Sequence, residues 1–264
     1  MYRSLFVFLM FSVLGLHAQV EVSTSLPANI FLRYEGIPLR MEIINKSGED
    51  LALGTEDAED ILLLRVRDLD NRVIPRTKVP ILEEPWVIPD GETSVRTFDL
   101  VQLFMLHHAM SYRCLQDVKL AGDSYTGPPR MFEVVSGLEE EIIKRRKENR
   151  IFTMIGLHRD GRDELMLRVT DYKKTTVLAT YYLERHLKHY DPFMKVNKEG
   201  IVCTLHYISP NQVVKCSFKA DGSPIARTYY SASAGVPVRL MEGVDGDFVV
   251  QGAVEIEGQS GEGE

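Results

Sequence analysis

The sequence predicts an all-β protein, a β-sandwich followed by a second antiparallel β domain. Runs of alternating apolar and polar residues recur at spacings of about 8–15 residues, the strand length of sandwich domains. Polar turns rich in Gly, Pro, Asp and Asn separate these runs. Several runs, such as Thr176 to Leu183, are dense in β-branched and aromatic residues.

The chain opens on an export segment. Arg3 supplies a positive start and Leu5 to Leu16 form an uncharged apolar core, shorter than the roughly 20 residues a membrane span needs. Residues 1–18 read as a signal peptide cut after Ala18. Leu16 fits the small-residue rule poorly, which keeps cleavage after Gly15 open. No cysteine adjoins the cut to take a lipid anchor, and no later apolar stretch reaches membrane length. The mature chain is expected to be secreted or periplasmic, without membrane insertion.

Removing residues 1–18 from the 264-residue chain leaves 246, room for one large or two ordinary domains. Loss of Arg3 takes the formal charge from −7 to −8. A surface of that sign repels phosphate backbones and anionic lipids, which excludes nucleic acid and membrane as general partners. The basic run Lys144-Arg145-Arg146-Lys147 is flanked by Glu139, Glu140, Glu141 and Glu148 and reads as a solvated mixed-charge segment.

Residues 19–137 form the first domain. Pro38 starts the strand Leu39-Arg40-Met41-Glu42-Ile43, and Asn45-Lys46-Ser47-Gly48 ends it with turn chemistry. Ile61 to Val66 follows, then the turn Asp68-Leu69-Asp70-Asn71 and a return strand at Arg72-Val73-Ile74. Pro89-Asp90-Gly91-Glu92 turns the chain into Ser94 to Phe98, and Asp99 to Phe104 fits one helical turn. Tyr112 to Val118 and Arg130 to Val135 close the module. Trp86, between Pro85 and Val87, reads as a loop residue packed on the sandwich.

The order of Pro38 to Asn45, Val66-Arg67-Asp68, Ile88-Pro89-Asp90-Gly91, Asp99-Leu100 and Tyr112-x-Cys114 resembles exported bacterial Ig-like domains. It is closest to those related to the intracellular proteinase inhibitor type. The resemblance covers roughly residues 28–135 and implies an Ig-like β-sandwich, without an inherited activity. Tyr112, two residues before Cys114, is similar to the tyrosine corner of Ig domains, whose phenol hydroxyl caps a neighbouring loop. An earlier cysteine to pair with Cys114 is missing.

Residues 138–150, where Leu138, Ile142 and Ile143 interrupt Glu, Lys and Arg, read as a charged helix or linker. Residues 151–254 return to strands. Ile151 to Ile155 turns through Arg159-Asp160-Gly161-Arg162 into Glu164 to Val169. Later hairpins are marked at Lys198-Glu199-Gly200, Ser209-Pro210-Asn211, Asp221-Gly222 and Asp245-Gly246. Phe193 to Val202 echoes Leu240 to Val249, with their glycines, Gly200 and Gly246, 46 residues apart, near the period of a β-propeller blade. About two blades fit where a closed propeller needs four or more, so the expectation is a sandwich or a partial-propeller-like pair of sheets. Residues 255–264 form an acidic tail expected to be disordered.

Three cysteines in an oxidising compartment leave the fold resting on its core. A hairpin turning through Ile208 to Asn211 places Cys203 opposite Cys216, where a disulfide is geometrically possible. A one-residue slip puts the two on opposite faces and leaves buried thiols. Cys114 reads as a core residue.

The chemistry-bearing candidate is His186-Leu187-Lys188-His189-Tyr190-Asp191. His186, His189 and Asp191 have spacing suited to zinc, set against exposed loop histidines, the reading also given to His107-His108. Asp68, Asp70 and Asn71 fit a hairpin turn better than a calcium loop. The sequence has no nucleophile elbow, phosphate-binding loop or dinucleotide fingerprint, and a Ser-His-Asp set assembled only in three dimensions stays open. Asn45-Lys46-Ser47 is a glycosylation sequon, meaningful in a eukaryotic secretory pathway. No catalytic residue and no cofactor is assigned. The expected function is an exported, non-enzymatic binding, adhesion or structural module whose partner is a protein or a surface polymer. The alternatives are a protease-inhibitor-like protein using a loop at Thr77 to Trp86, or a metal-dependent hydrolase using His186 and His189.

Overall fold

In the computed structural model, which describes residues 20–54, 60–120, 123–243, 246–257 and 261–262, the chain is almost entirely strand. The signal segment, residues 1–18, lies outside the described residues. The first unit holds β1 (Val20–Ser25), β2 (Ile30–Leu32), β3 (Pro38–Asn45), β4 (Leu51–Gly54), β5 (Asp60–Asp68), β6 (Trp86–Ile88) and β7 (Thr93–Asp99). It continues with the single turn α1 (Leu100–Leu103), then β8 (Met110–Leu120), β9 (Asp123–Thr126) and β10 (Arg130–Val135). A three-stranded sheet, β1-β3-β7, packs on a seven-stranded sheet ordered β2-β10-β8-β5-β4-β6, with β9 paired to β8. Alternation dictates the packing. Leu39, Met41 and Ile43 of β3 meet Leu62, Leu64 and Val66 of β5, together with Tyr112, Cys114 and Trp86, in one core.

The local expectations here have physical counterparts. Asp99 caps α1 by accepting from the Val101 amide at 3.1 Å. The Tyr112 hydroxyl donates to the His108 carbonyl oxygen four residues upstream, at 2.9 Å. Asp68 and Asn71 serve the hairpin turn. The Asp68 carboxylate accepts from the Arg72 amide at 2.8 Å, and Asn71 sits at φ 67°. The return strand expected at Arg72 to Ile74 is reduced to one bridge, Arg67 with Val73. Trp86 belongs to strand β6 instead of a loop. It is 2% exposed, and its indole N–H donates to the Ser94 hydroxyl at 2.9 Å.

The second unit begins one residue after Gly137 and corrects the reading of residues 138–150 as a charged helix or linker. Leu138–Arg145 is a strand, β11, followed by β12 (Arg150–Arg159), β13 (Arg162–Asp171) and β14 (Val177–Arg185) in an antiparallel meander. As the edge of its sheet, β11 tolerates Glu and Lys on both faces, which is how edge strands avoid further pairing. Only Ile143 among its apolar residues reaches the core shared with the next sheet. That sheet comprises β15 (Phe193–Val196), β16 (Val202–Ser209), β17 (Gln212–Phe218) and β18 (Pro224–Ala232). It is followed in the chain by the hairpin β19 (Arg239–Glu242) and β20 (Phe248–Gln251), and then by β21 (Ala253–Glu255), which pairs with β18. Phe152, Met154, Leu165 and Leu167 of the first meander pack against Val202, Val214, Cys216 and Phe218 of the second. The opposite face of the second, with Cys203, Leu205 and Val213, packs under Leu240, Phe248 and Val250 of the hairpin. Three sheets of decreasing size are thus stacked. Within the 255–264 tail, Gly261–Glu262 forms a two-residue strand, β22, on β18, so the expectation of disorder does not hold there.

The disulfide expected between Cys203 and Cys216 is also corrected. A bulge between Tyr207 and Ser209 sets the register so that Cys203 faces Ser217 and Thr204 faces Cys216. Because side chains alternate with period two, the single-residue offset sends the thiols into different cores. Both are free and buried, as is Cys114, and burial pushes the Cys114 thiol up to about 12.

Candidate functional site

The two units meet along a seam built largely by one turn, Arg33-Tyr34-Glu35, between β2 and β3. Its apolar centre is Leu32 against Ile155, Leu157 and Met166, with Ile30 and Val135 beside them. These residues occupy the face of β12 and β13 that is turned away from the internal core. Alternation brings Glu164, Arg168 and Thr170 to that same face.

At one end of the seam Arg159 joins two carboxylates, Glu35 at 2.7 Å and Glu164 at 2.6 Å. All three side chains are largely buried, at 12–14% exposure. Glu35 also accepts from the Leu32 amide at 2.7 Å, which fixes the carboxylate before it meets the second unit. Burial raises the Glu35 pKa above the ordinary carboxylate value, against the pull of the Leu32 amide and Arg159. A cleft of about 510 Å³ opens beside this bridge, with Phe31, Pro27 and Pro38 on one wall and Asp160 and Arg162 of the β12–β13 turn on the other. At the other end, the Arg168 guanidinium donates from Nη2 to the Arg33 carbonyl oxygen at 2.6 Å. Arg33 and Arg168 both lie over the Tyr34 ring, with guanidinium carbons 5.2 and 5.6 Å from its centroid. Tyr34 sits at φ 71°, a left-handed conformation that a bulky residue holds only where its surroundings fix it.

A second feature lies on the β14–β15 connection. Tyr190 stacks on Tyr207, with ring centroids 4.1 Å apart and planes at 23°. The Leu187 amide bonds the Tyr207 carbonyl at 3.0 Å, and the Tyr190 amide bonds the Leu187 carbonyl at 3.0 Å, so the connection is held by its own backbone. Phe193, the first residue of β15, is 43% exposed and Tyr190 40%. Lys188, His189 and Asp191 are exposed in the same connection. The result is a fixed aromatic surface with a polar margin.

The metal candidates do not assemble. His186 is buried, its amide bonded to the Asp163 carbonyl at 2.8 Å, and its ring lies 6.0 Å from that of His206. His189 and Asp191 face solvent instead, and no group of three or more His, Cys, Asp or Glu able to hold a metal ion occurs among the described residues. His107 and His108 are exposed. The loop from Thr77 to Trp86 is anchored by its own middle, with Ile81 and Leu82 each 7% exposed in the sandwich core. It borders a cavity of about 380 Å³ against Arg96, Phe98 and Gln102.

Sequence reasoning missed Glu35, Arg159, Glu164, Arg33, Arg168 and His206. Arg168 alone carried a local signal, since alternation through Glu164 to Val169 places it on the same face as Met166. No protein-family model matches the chain, and no curated protein matches its sequence.

Proposed function

We propose that the chain is an exported, non-enzymatic binding module with an Ig-like first unit, and that it grips a surface polysaccharide through the aromatic surface of Tyr190, Tyr207 and Phe193. The observation that carries this reading is the exposed Tyr190–Tyr207 stack. Aromatic rings fixed by backbone hydrogen bonds offer flat apolar area at little entropic cost, and a polar margin supplies hydrogen bonds. Sugar rings present the matching combination of apolar faces and hydroxyl edges. The Tyr112–His108 hydrogen bond supports the Ig-like reading, and the Arg3-to-Ala18 segment supports export.

The test is co-sedimentation of the mature protein with a panel of insoluble polysaccharides, comparing wild type with the Tyr190→Ala/Phe193→Ala double variant. We expect retention on at least one polymer and about a tenfold weaker affinity for the variant, equivalent to about 1.4 kcal/mol. Its thermal midpoint should stay unchanged, because both side chains are exposed. Wild type that sediments with no polymer, or a variant that binds as well, would sink the proposal.

A further inference from the structure

The Arg33–Arg168 end of the seam holds more positive charge and more hydrogen-bond donors than its own residues answer. Arg168 is 8% exposed. Its cross-strand neighbours are Thr153 and Thr180, and Thr170 follows on the same face. The Nε groups of Arg168 and Arg33 and the hydroxyls of Thr170 and Thr180 are all buried without a hydrogen-bond partner. The one acceptor recorded for the Arg168 guanidinium is the neutral Arg33 carbonyl. The carboxylate whose charge reaches Arg168 is Glu139, which is 54% exposed and lies 4.0 Å from Lys174. Burial and the Arg33 charge both work against the protonated Arg168. Arg159, at the other end, is matched by two carboxylates. A buried cation is tolerated when an anion pairs with it and its N–H groups are answered, and otherwise costs several kcal/mol.

We propose that Arg33, Arg168, Thr170 and Thr180 form a binding site for a small tetrahedral oxyanion, phosphate or sulfate, at the seam between the two units. Every unanswered group is one that can donate, and they come from three elements: the β2–β3 turn, β13 and β14. A tetrahedral oxyanion presents acceptors in several directions and suits guanidinium N–H geometry. The overall negative charge of the chain does not oppose this, because the seam is screened from the surface and locally carries two cations. Entry requires the Tyr34 ring to swing aside, since the four donors are shielded from solvent.

The experiment is isothermal calorimetry and thermal unfolding of the mature protein with inorganic phosphate and with inorganic sulfate, at constant ionic strength set with chloride. We expect one anion per chain and a saturable rise in midpoint. Arg33→Gln and Arg168→Met should weaken binding at least tenfold, while Arg65→Gln, on the wet face of the seven-stranded sheet, should leave it unchanged. If Arg168→Met fails to fold, Arg33→Gln decides the matter, because Arg33 is only half-buried. Absence of binding heat, or a non-saturating rise shared equally by all variants, would overturn the site and leave a general salt effect. Dextran sulfate supplies the same group on a polymer. If it binds wild type but not Arg33→Gln, the site stands with a polymer as its source; if it does not compete, the free ion is the source.

Discussion

His206 is the residue whose chemistry departs furthest from its sequence neighbours. It is 1% exposed, and neither ring nitrogen makes a well-formed hydrogen bond. Burial, then the charges of His186 and Arg227, push its pKa down to about 3, opposed only weakly by the Arg185 carbonyl. The unfolded chain protonates this ring near pH 6.5. Above that pH the ring is neutral in both states and the stability is fully present. Between pH 6.5 and about 3 the unfolded state binds a proton that the folded state refuses. Stability therefore falls with falling pH, by up to about 1.4 kcal/mol per unit. Burial lowers His186 as well, adding in the same direction. Urea unfolding at pH 7 and pH 5 should show this loss, and His206→Gln should flatten it; an identical pH slope in the variant would remove the histidine from the account. His206 was not legible in the sequence because it sits in an ordinary strand run, and its meeting with His186 depends on how the chain packs. The cysteine pair was legible as a hairpin but not in parity. That turned on one bulged residue near Ile208, which no composition marks.

At the level of elements, strands and turns were the readable part. Pro89-Asp90-Gly91, Arg159 to Arg162 and the single helical turn after Asp99 all announce themselves through turn and capping chemistry. The edge strand β11 was misread because a strand with charge on both faces lacks the alternation that identifies its buried neighbours. Gly137, the residue just before it, is a point where the backbone requires glycine. It lies at φ 71°, and a Cβ there would stand 2.4 Å from Ile155 Cγ2 and 2.8 Å from Leu32 Cδ1. Gly137→Ala should therefore destabilise the protein by roughly 1–3 kcal/mol through strain and overpacking, read as a lower denaturant midpoint. It should also speed proteolytic cleavage between β10 and β11. An unchanged midpoint would mean that the seam absorbs the methyl group.

For the whole molecule, the sequence supplied the division into two β units but no sign of what joins them. Glu35 lies about 100 residues or more from Arg159 and Glu164, a separation no local pattern spans. Removing Arg159 leaves Glu35 and Glu164 buried beside each other without a cation, a change that typically costs about 3–5 kcal/mol. Arg159→Met should accordingly split thermal unfolding into two calorimetric transitions, whereas a single cooperative transition would show that the apolar centre of the seam couples the units alone. The strand pairings also set an order of folding. The β11–β14 and β15–β18 meanders close through short hairpins between successive strands. The first unit must instead bring Ile30–Leu32 into parallel register with Glu133–Val135, about 100 residues later. Synthesised from the N-terminus, the chain cannot finish its first unit until β10 has emerged, while each later sheet forms almost as fast as it appears. The slow step of folding therefore belongs to the part made first, and the β2–β3 turn is mounted last, onto a second unit already waiting for it.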